Sequence, residues 1–247
     1  MLRYFGLSDV GCVRTNNEDA FAVEPSLGLF VVADGMGGAQ AGERASATAI
    51  TTIVEKIRSA VPQRDPEILL EAVLEANHNI LSEASENPEL QGMGTTVVAA
   101  LVDLPVAHIA SVGDSRVYLF RDAQLERITS DQTWVNEVGR SLGLTEEQIL
   151  NHPFRNVLTM AVGAREHIDV HSYELSLKAG DVLLLSSDGL HGVVAEAGIT
   201  QALTSDHPLA DRAASLIEMA RSNGGPDNIT AVLIELTDQP EGGDDAR

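Results

Sequence analysis

Apolar residues in this chain fall mostly into short runs, and few segments carry a sustained helical period. Residues 3–8 and 20–24 read as strands, and residues 27–33 (LGLFVVA) form a continuous apolar run suited to a strand covered on both faces. Residues 95–102, 107–112, 116–120 and 181–186 follow as further strands, and 228–236 closes the series with alternation. Two long helices interrupt it early. One spans residues 41–60, is rich in alanine and stops before Pro62. The other spans 66–85, with Asp65 as its cap and Pro66 as its first residue. A third, 209–223, ends at Gly224-Gly225.

The helices are grouped and do not alternate with the strands one for one. That order predicts an α+β fold with antiparallel sheets, not a doubly wound parallel sheet. Residues 130–165 fit no clean period, and a long irregular insertion in a domain of this size is expected to act as a flap. The whole of 1–237 reads as one domain. Residues 238–247, rich in Gly, Asp and Glu, read as a disordered acidic tail.

Composition narrows the chemistry. Of 247 residues, 16 are Lys or Arg and 37 are Asp or Glu, a formal charge of −21. Such a surface repels phosphate backbones and anionic lipid, so neither nucleic acid nor membrane is an expected partner. No apolar run approaches the roughly 20 residues of a membrane span, and the first residues lack a signal-peptide core, so a cytoplasmic location is expected. Cys12 is the single cysteine, which excludes an internal disulfide and a cysteine-built zinc site. A cysteine-dependent phosphatase needs Arg six residues after its nucleophile; here Glu18 stands there. Cys12 is read as a small, half-buried residue. The run Gly35-Met36-Gly37-Gly38 fails as a dinucleotide fingerprint at Gln40, and as a P-loop at Glu43-Arg44.

The informative residues are aspartates beside strand ends: Asp9, Asp34 after LFVVA, Asp114 after HIASVG, Asp188 after VLLLSS, and Asp227 before the last strand. Each alone reads as a turn aspartate. Gathered on one sheet edge they would repel one another unless cations neutralised them. All-oxygen ligands select Mg²⁺ or Mn²⁺. Two such ions can share a carboxylate and generate a hydroxide nucleophile. Gly35 is expected to use glycine's backbone freedom to turn its carbonyl to a metal. Arg14, beside Glu18 and Asp19, has the planar donor fork that grips phosphate, though alone it would pass for a surface arginine.

Six segments in order, SDVGCVRTNNED (8–19), VADGMGG (32–38), MGTT (93–96), VGDSR (112–116), SSDGL (186–190) and GGPDNIT (224–230), resemble the motifs of bacterial 2C-type (PPM) protein phosphatases across about residues 3–236. The resemblance implies a four-layer α-β-β-α sandwich, two antiparallel sheets flanked by helix pairs. It implies hydrolysis of phosphoserine and phosphothreonine in proteins, reversing a Ser/Thr kinase, by in-line attack of a metal-bound hydroxide. Asp34 would bridge two core ions and the Gly35 carbonyl would bind the first. Asp188 and Asp227 would bind the second, and Asp114 with Asp188 a weaker third. Arg14 would hold the phosphate, while Glu18 and Asp19 would orient metal-bound waters. Substrates would be phosphorylated proteins, with a Ser/Thr kinase among the partners, and the protein is expected to be a monomer. Histidines found in relatives are replaced here by Met36, Ala39 and Gln132, so a histidine general acid is not expected, and proton donation by a metal-bound water takes its place. His191 is read as structural. An inactive binding module of the same fold is disfavoured because Arg14, Asp34, Asp188 and Asp227 are all present. A two-metal enzyme acting on small phosphate esters stays open.

Overall fold

Two antiparallel sheets lie face to face in the computed structural model, which describes residues 1–61, 65, 67–139, 141–150 and 152–237. The first sheet runs β1 (Leu2–Asp9), β11 (Ile229–Leu236), β10 (Val182–Ser186), β7 (Arg116–Arg121), β8 (Gln124–Arg127). The second runs β2 (Asp19–Glu24), β3 (Leu29–Met36), β5 (Val97–Asp103), β6 (Val106–Val112), β9 (His171–Ser176), with the short β4 (Gly94–Thr95) paired to β3. The tail at 238–247 and Pro66 lie outside the described residues.

Three apolar clusters define four layers. Between the sheets, Phe30, Val32, Val98 and Ala100 meet Leu183, Leu185, Val117 and Val232. Outside the second sheet, Leu29, Val31 and Ala33 pack on α1 (Ala39–Ser59) and α2 (Ile68–Glu86) through Ala45, Ile53, Val73 and Ile80. Outside the first, Leu184, Tyr118 and Leu233 pack on α5 (Glu196–Thr204) and α6 (Leu209–Ser222) through Ile199, Leu216 and Ala220. Successive side chains of a strand point to opposite faces. Both faces of β3 and β10 are therefore covered, which is why each reads as continuously apolar. Cutting a fully buried leucine such as Leu184 to Ala would cost about 2–5 kcal/mol.

The structure also corrects the sequence reading. β3 continues through Asp34, Gly35 and Met36, so Asp34 lies inside a strand and faces Asp19 across the β2–β3 ladder. β8 and β9, which carry no strong signal, each form one edge of their sheet, opposite β1 and β2, and are largely polar. The short helices α3 (Glu146–Leu150) and α4 (Asp188–His191) and the longer α5 were likewise not expected. The helix expected from residue 66 begins at Ile68, yet the Asp65 carboxylate does accept from the Glu67 N–H at 3.0 Å. Cys12 is exposed, not half-buried.

Candidate functional site

The segments carrying the acidic residues meet at one end of the two-sheet core. Asp19 opens β2 and pairs in register with Asp34 on β3. Asp188 begins α4 immediately after β10, Asp227 precedes β11, and Asp114 follows β6 beyond Gly113. Asp188 lies close enough to Asp34 for its charge to act on it. Burial pushes Asp34 well above the ordinary carboxyl range, and Asp19, Asp188, Asp114 and Asp227 push it further. Burial also raises Asp188, with Asp227 the next cause. It lifts Asp114 to about 8, helped by Asp188 and Asp131, and Asp19 to about 7.

Asp19 has a built seat. Its Oδ2 accepts from Ser187 Oγ at 2.7 Å and Thr230 Oγ1 at 2.6 Å, while its Oδ1 is buried with no hydrogen-bond partner. An acceptor left without a donor in a crowd of carboxyls fits the neighbourhood of a hydrated cation. Among the described residues no three acidic, His or Cys groups close on a single point.

Gly35 is required for a different reason from the one expected. Its backbone is ordinary strand; a Cβ there would lie 2.1 Å from the Gly42 carbonyl oxygen and 2.7 Å from that of Glu18. The left-handed conformations fall on Gly37 (φ 120°) and Gly38 (φ 91°), which turn the chain from β3 into α1. The Gly35 N–H donates to the Glu18 carbonyl at 3.1 Å, tying the two acidic segments together.

Arg14 is exposed at the rim, and its Nη2 donates to Asp227 Oδ2 at 2.7 Å. That contact, with Asp227 the largest cause, raises the guanidinium further. Burial raises Glu18, opposed by Arg14. Asp9 does not join the group: its Oδ1 accepts from Gly11 N–H at 2.8 Å and from Arg221 Nη1 at 2.5 Å, anchoring β1 to α6.

Asn228 and Asp131 were not singled out by sequence reasoning, and the packing of Gln132 and His191, which were, is seen only here. Asn228 is buried and ties three points of the 10–18 loop at once. Its Oδ1 accepts from the Glu18 N–H at 2.7 Å, and its Nδ2 donates to the carbonyls of Val10 (3.0 Å) and Asn16 (2.9 Å). The loop carrying Arg14 is thus laced to the end of β11. Gln132, also buried, accepts from the Gly113 N–H at 2.8 Å and donates to the Asp169 carbonyl at 2.8 Å. Its side chain is fully engaged in holding the Asp114 loop, so the residue that replaces histidine here is a bracket. Asp131 takes a two-pronged contact from Arg116 (2.9 and 2.7 Å) and a third from Arg127 (3.2 Å). His191 contacts Ser186 Oγ through Nδ1 at 2.9 Å and hydrogen-bonds the Asp114 backbone; burial holds its ring well below the ordinary value. Position 228 lies within the quoted GGPDNIT segment and Arg116 within VGDSR, so both carried a signal that could have been followed.

A cleft of about 320 Å³ opens at this edge, lined by Asp114, Asp188, Asp227, Thr133, His191 and Arg155 among others. Thr133 Oγ1 is buried there without a partner. Known proteins share this chain's sequence pattern and fold. The sequence profile of the Protein phosphatase 2C family matches residues 13–234. The chain belongs to the protein phosphatase 2C family. The phosphatase is 35% identical over 244 residues to the serine/threonine phosphatase stp of Listeria innocua, covering 96% of this chain and 97% of that one. It superposes on the serine/threonine phosphatase Stp1 of Staphylococcus aureus with a TM-score of 0.89 at 33% identity, over 96% and 95% of the two chains. The catalytic domain of PstP in complex with two manganese ions matches with a TM-score of 0.85 at 36% identity, over 96% and 99%. The phosphatase accordingly hydrolyses phosphoserine and phosphothreonine in proteins. Among the described residues, no helix is long and apolar enough to cross a membrane.

Proposed function

We propose that Asp34, the Gly35 carbonyl, Asp188 and Asp227 hold two Mn²⁺ or Mg²⁺ ions, with Asp114 and the shared Asp188 holding a weaker third. The observation that carries this reading is the crowding of buried Asp34 by Asp19, Asp188, Asp114 and Asp227, each of which raises it. Divalent cations held among these carboxyls would relieve that repulsion. The relative solved with two manganese ions supports the same count. When bound, such ions supply Lewis acidity and an activated water for in-line displacement at phosphorus.

The protein's own groups do the rest. Asp19, held on Ser187 and Thr230, and Glu18, pinned by Asn228 through its backbone, orient waters in the pocket. Arg14, set at the rim by Asp227, presents a planar donor pair to the phosphate. His191 is engaged with Ser186 and the Asp114 backbone, so it is not the acid that protonates the leaving serine or threonine. Residues 130–165 form a flap that contributes Arg155 and Thr133 to the cleft wall. The enzyme acts as a monomer in the cytoplasm, against the products of a Ser/Thr kinase.

Phosphothreonine-peptide hydrolysis with and without Mn²⁺ tests the assignment. Asp34→Asn should lose activity near-completely. Arg14→Ala should raise KM roughly tenfold, more than it lowers kcat. Retained turnover in Asp34→Asn, or an unchanged KM in Arg14→Ala, would remove the corresponding role.

A further inference from the structure

The flap carries an aromatic group that the chemistry at the metal pocket does not use. Trp134 stacks on His152 with ring centroids 4.7 Å apart and an interplanar angle of 18°. Phe154 stands edge-on to both, 5.6 Å from Trp134 and 5.5 Å from His152. The three rings brace one another, and the outermost is left bare: Phe154 is 51% exposed, as is its neighbour Val157 at 46%. Two backbone contacts fix the group, the Trp134 N–H donating to the Val157 carbonyl at 2.8 Å and the Phe154 N–H to His152 Nδ1 at 3.1 Å.

The position matters as much as the composition. Thr133 and Arg155 line the cleft, and each is the chain neighbour of a platform residue, Trp134 and Phe154. The aromatic group therefore adjoins the cleft wall along the chain, one residue from the Arg155 guanidinium. An exposed aromatic braced by two others loses little side-chain entropy when something packs on it. Rigid aromatic surface of this kind is what peptide-binding sites use as an anchor.

Resting on the phosphatase reading, we propose that Trp134, His152, Phe154 and Val157 form a docking platform that selects phosphoproteins carrying an aromatic or large aliphatic side chain next to the phosphorylated residue. Because the platform flanks the cleft wall on one side along the chain, the preferred side chain is expected close to the phosphothreonine and on one side of it only.

The test is a set of phosphothreonine peptides with a single Phe moved from three positions before to three after the phosphoresidue, on an alanine background, assayed for kcat/KM with Mn²⁺. The wild type should favour one or two adjacent positions by roughly three- to tenfold, the worth of an aromatic contact. In Phe154→Ala that ratio should fall to about one, and Phe154→Trp should restore it. A flat profile in the wild type, a ratio that survives Phe154→Ala, or an equal loss on Phe-bearing and all-Ala peptides would overturn the platform. So would a dimer in solution that Phe154→Ala dissociates, because the surface would then belong to a second copy of the chain. Failure on every phosphopeptide, with p-nitrophenyl phosphate still hydrolysed, would instead strike the phosphoprotein reading itself.

Discussion

Removing the metal should make the folded protein's stability fall as pH rises above neutrality. Asp19 and Asp114 are held at about 7 and about 8 in the fold, against an ordinary value near 3.9 when unfolded. A carboxyl with a raised folded value binds a proton that the unfolded chain has already lost. The stability it contributes is complete below the unfolded value and disappears as pH climbs through the folded one. His191 acts in the opposite sense below about pH 6.5, because the fold keeps it neutral while the unfolded chain takes up a proton. Glu83, lowered by Arg44, matters only in more acidic solution. The clean window is therefore pH 6.5 to 8. Integrating the two titrations across it gives a loss of about 1 kcal/mol from Asp19 and about 2 kcal/mol from Asp114. Asp114 stands at the cleft mouth, where water screens it, so about 2 kcal/mol in total is the working figure. For a protein of this size that lowers Tm by about 4–8 °C. The assay is thermal unfolding by circular dichroism in chelator at half-unit pH steps, beside the same series with Mn²⁺. Because ligands must be deprotonated to bind metal, the gap between the two curves should widen with pH. A chelated Tm that stays flat or rises from pH 6.5 to 8, or a gap independent of pH, would refute the crowding of these carboxyls. Asp114→Asn should remove about half of the slope.

Two further substitutions test the scaffold. Asn228→Ala removes three hydrogen bonds to the 10–18 loop; denaturant unfolding should show a loss of about 2–4 kcal/mol, and kcat/KM should fall by roughly tenfold or more as Arg14 and Glu18 lose their seat. Gly35→Ala places a methyl against the Gly42 carbonyl, so metal affinity measured by calorimetry should drop sharply even where the protein still folds; an unaltered affinity would show that the strand can shift without disturbing Asp34.

Much of this molecule was legible before any coordinates. Strands covered on both faces must be apolar at nearly every position, and β3, β5, β6 and β10 are. The edge strands β8 and β9 were not legible, because a strand with one free edge can tolerate residues such as Gln124, Glu126, His171 and Glu174. The acidic positions were visible as Asp beside apolar runs, and their order along the chain identified the family. What they do to each other was not. Asp9 had the same local signature as Asp34, yet only packing of β1 on α6 turned it to Arg221. Gln132 and Asn228 looked like ordinary polar residues, and their roles come from carbonyls and N–H groups far away in sequence, at positions 113, 169, 10, 16 and 18.

The chain by itself therefore determined which residues are buried and which carry charge, since burial and charge depend on local composition and period. Tertiary structure alone decided which charges share a pocket and which aromatic rings stack on one another. Electrostatic and aromatic contacts act over a few ångströms in space, and the sequence separation between Asp34 and Asp188, or between Trp134 and Phe154, says nothing of that distance.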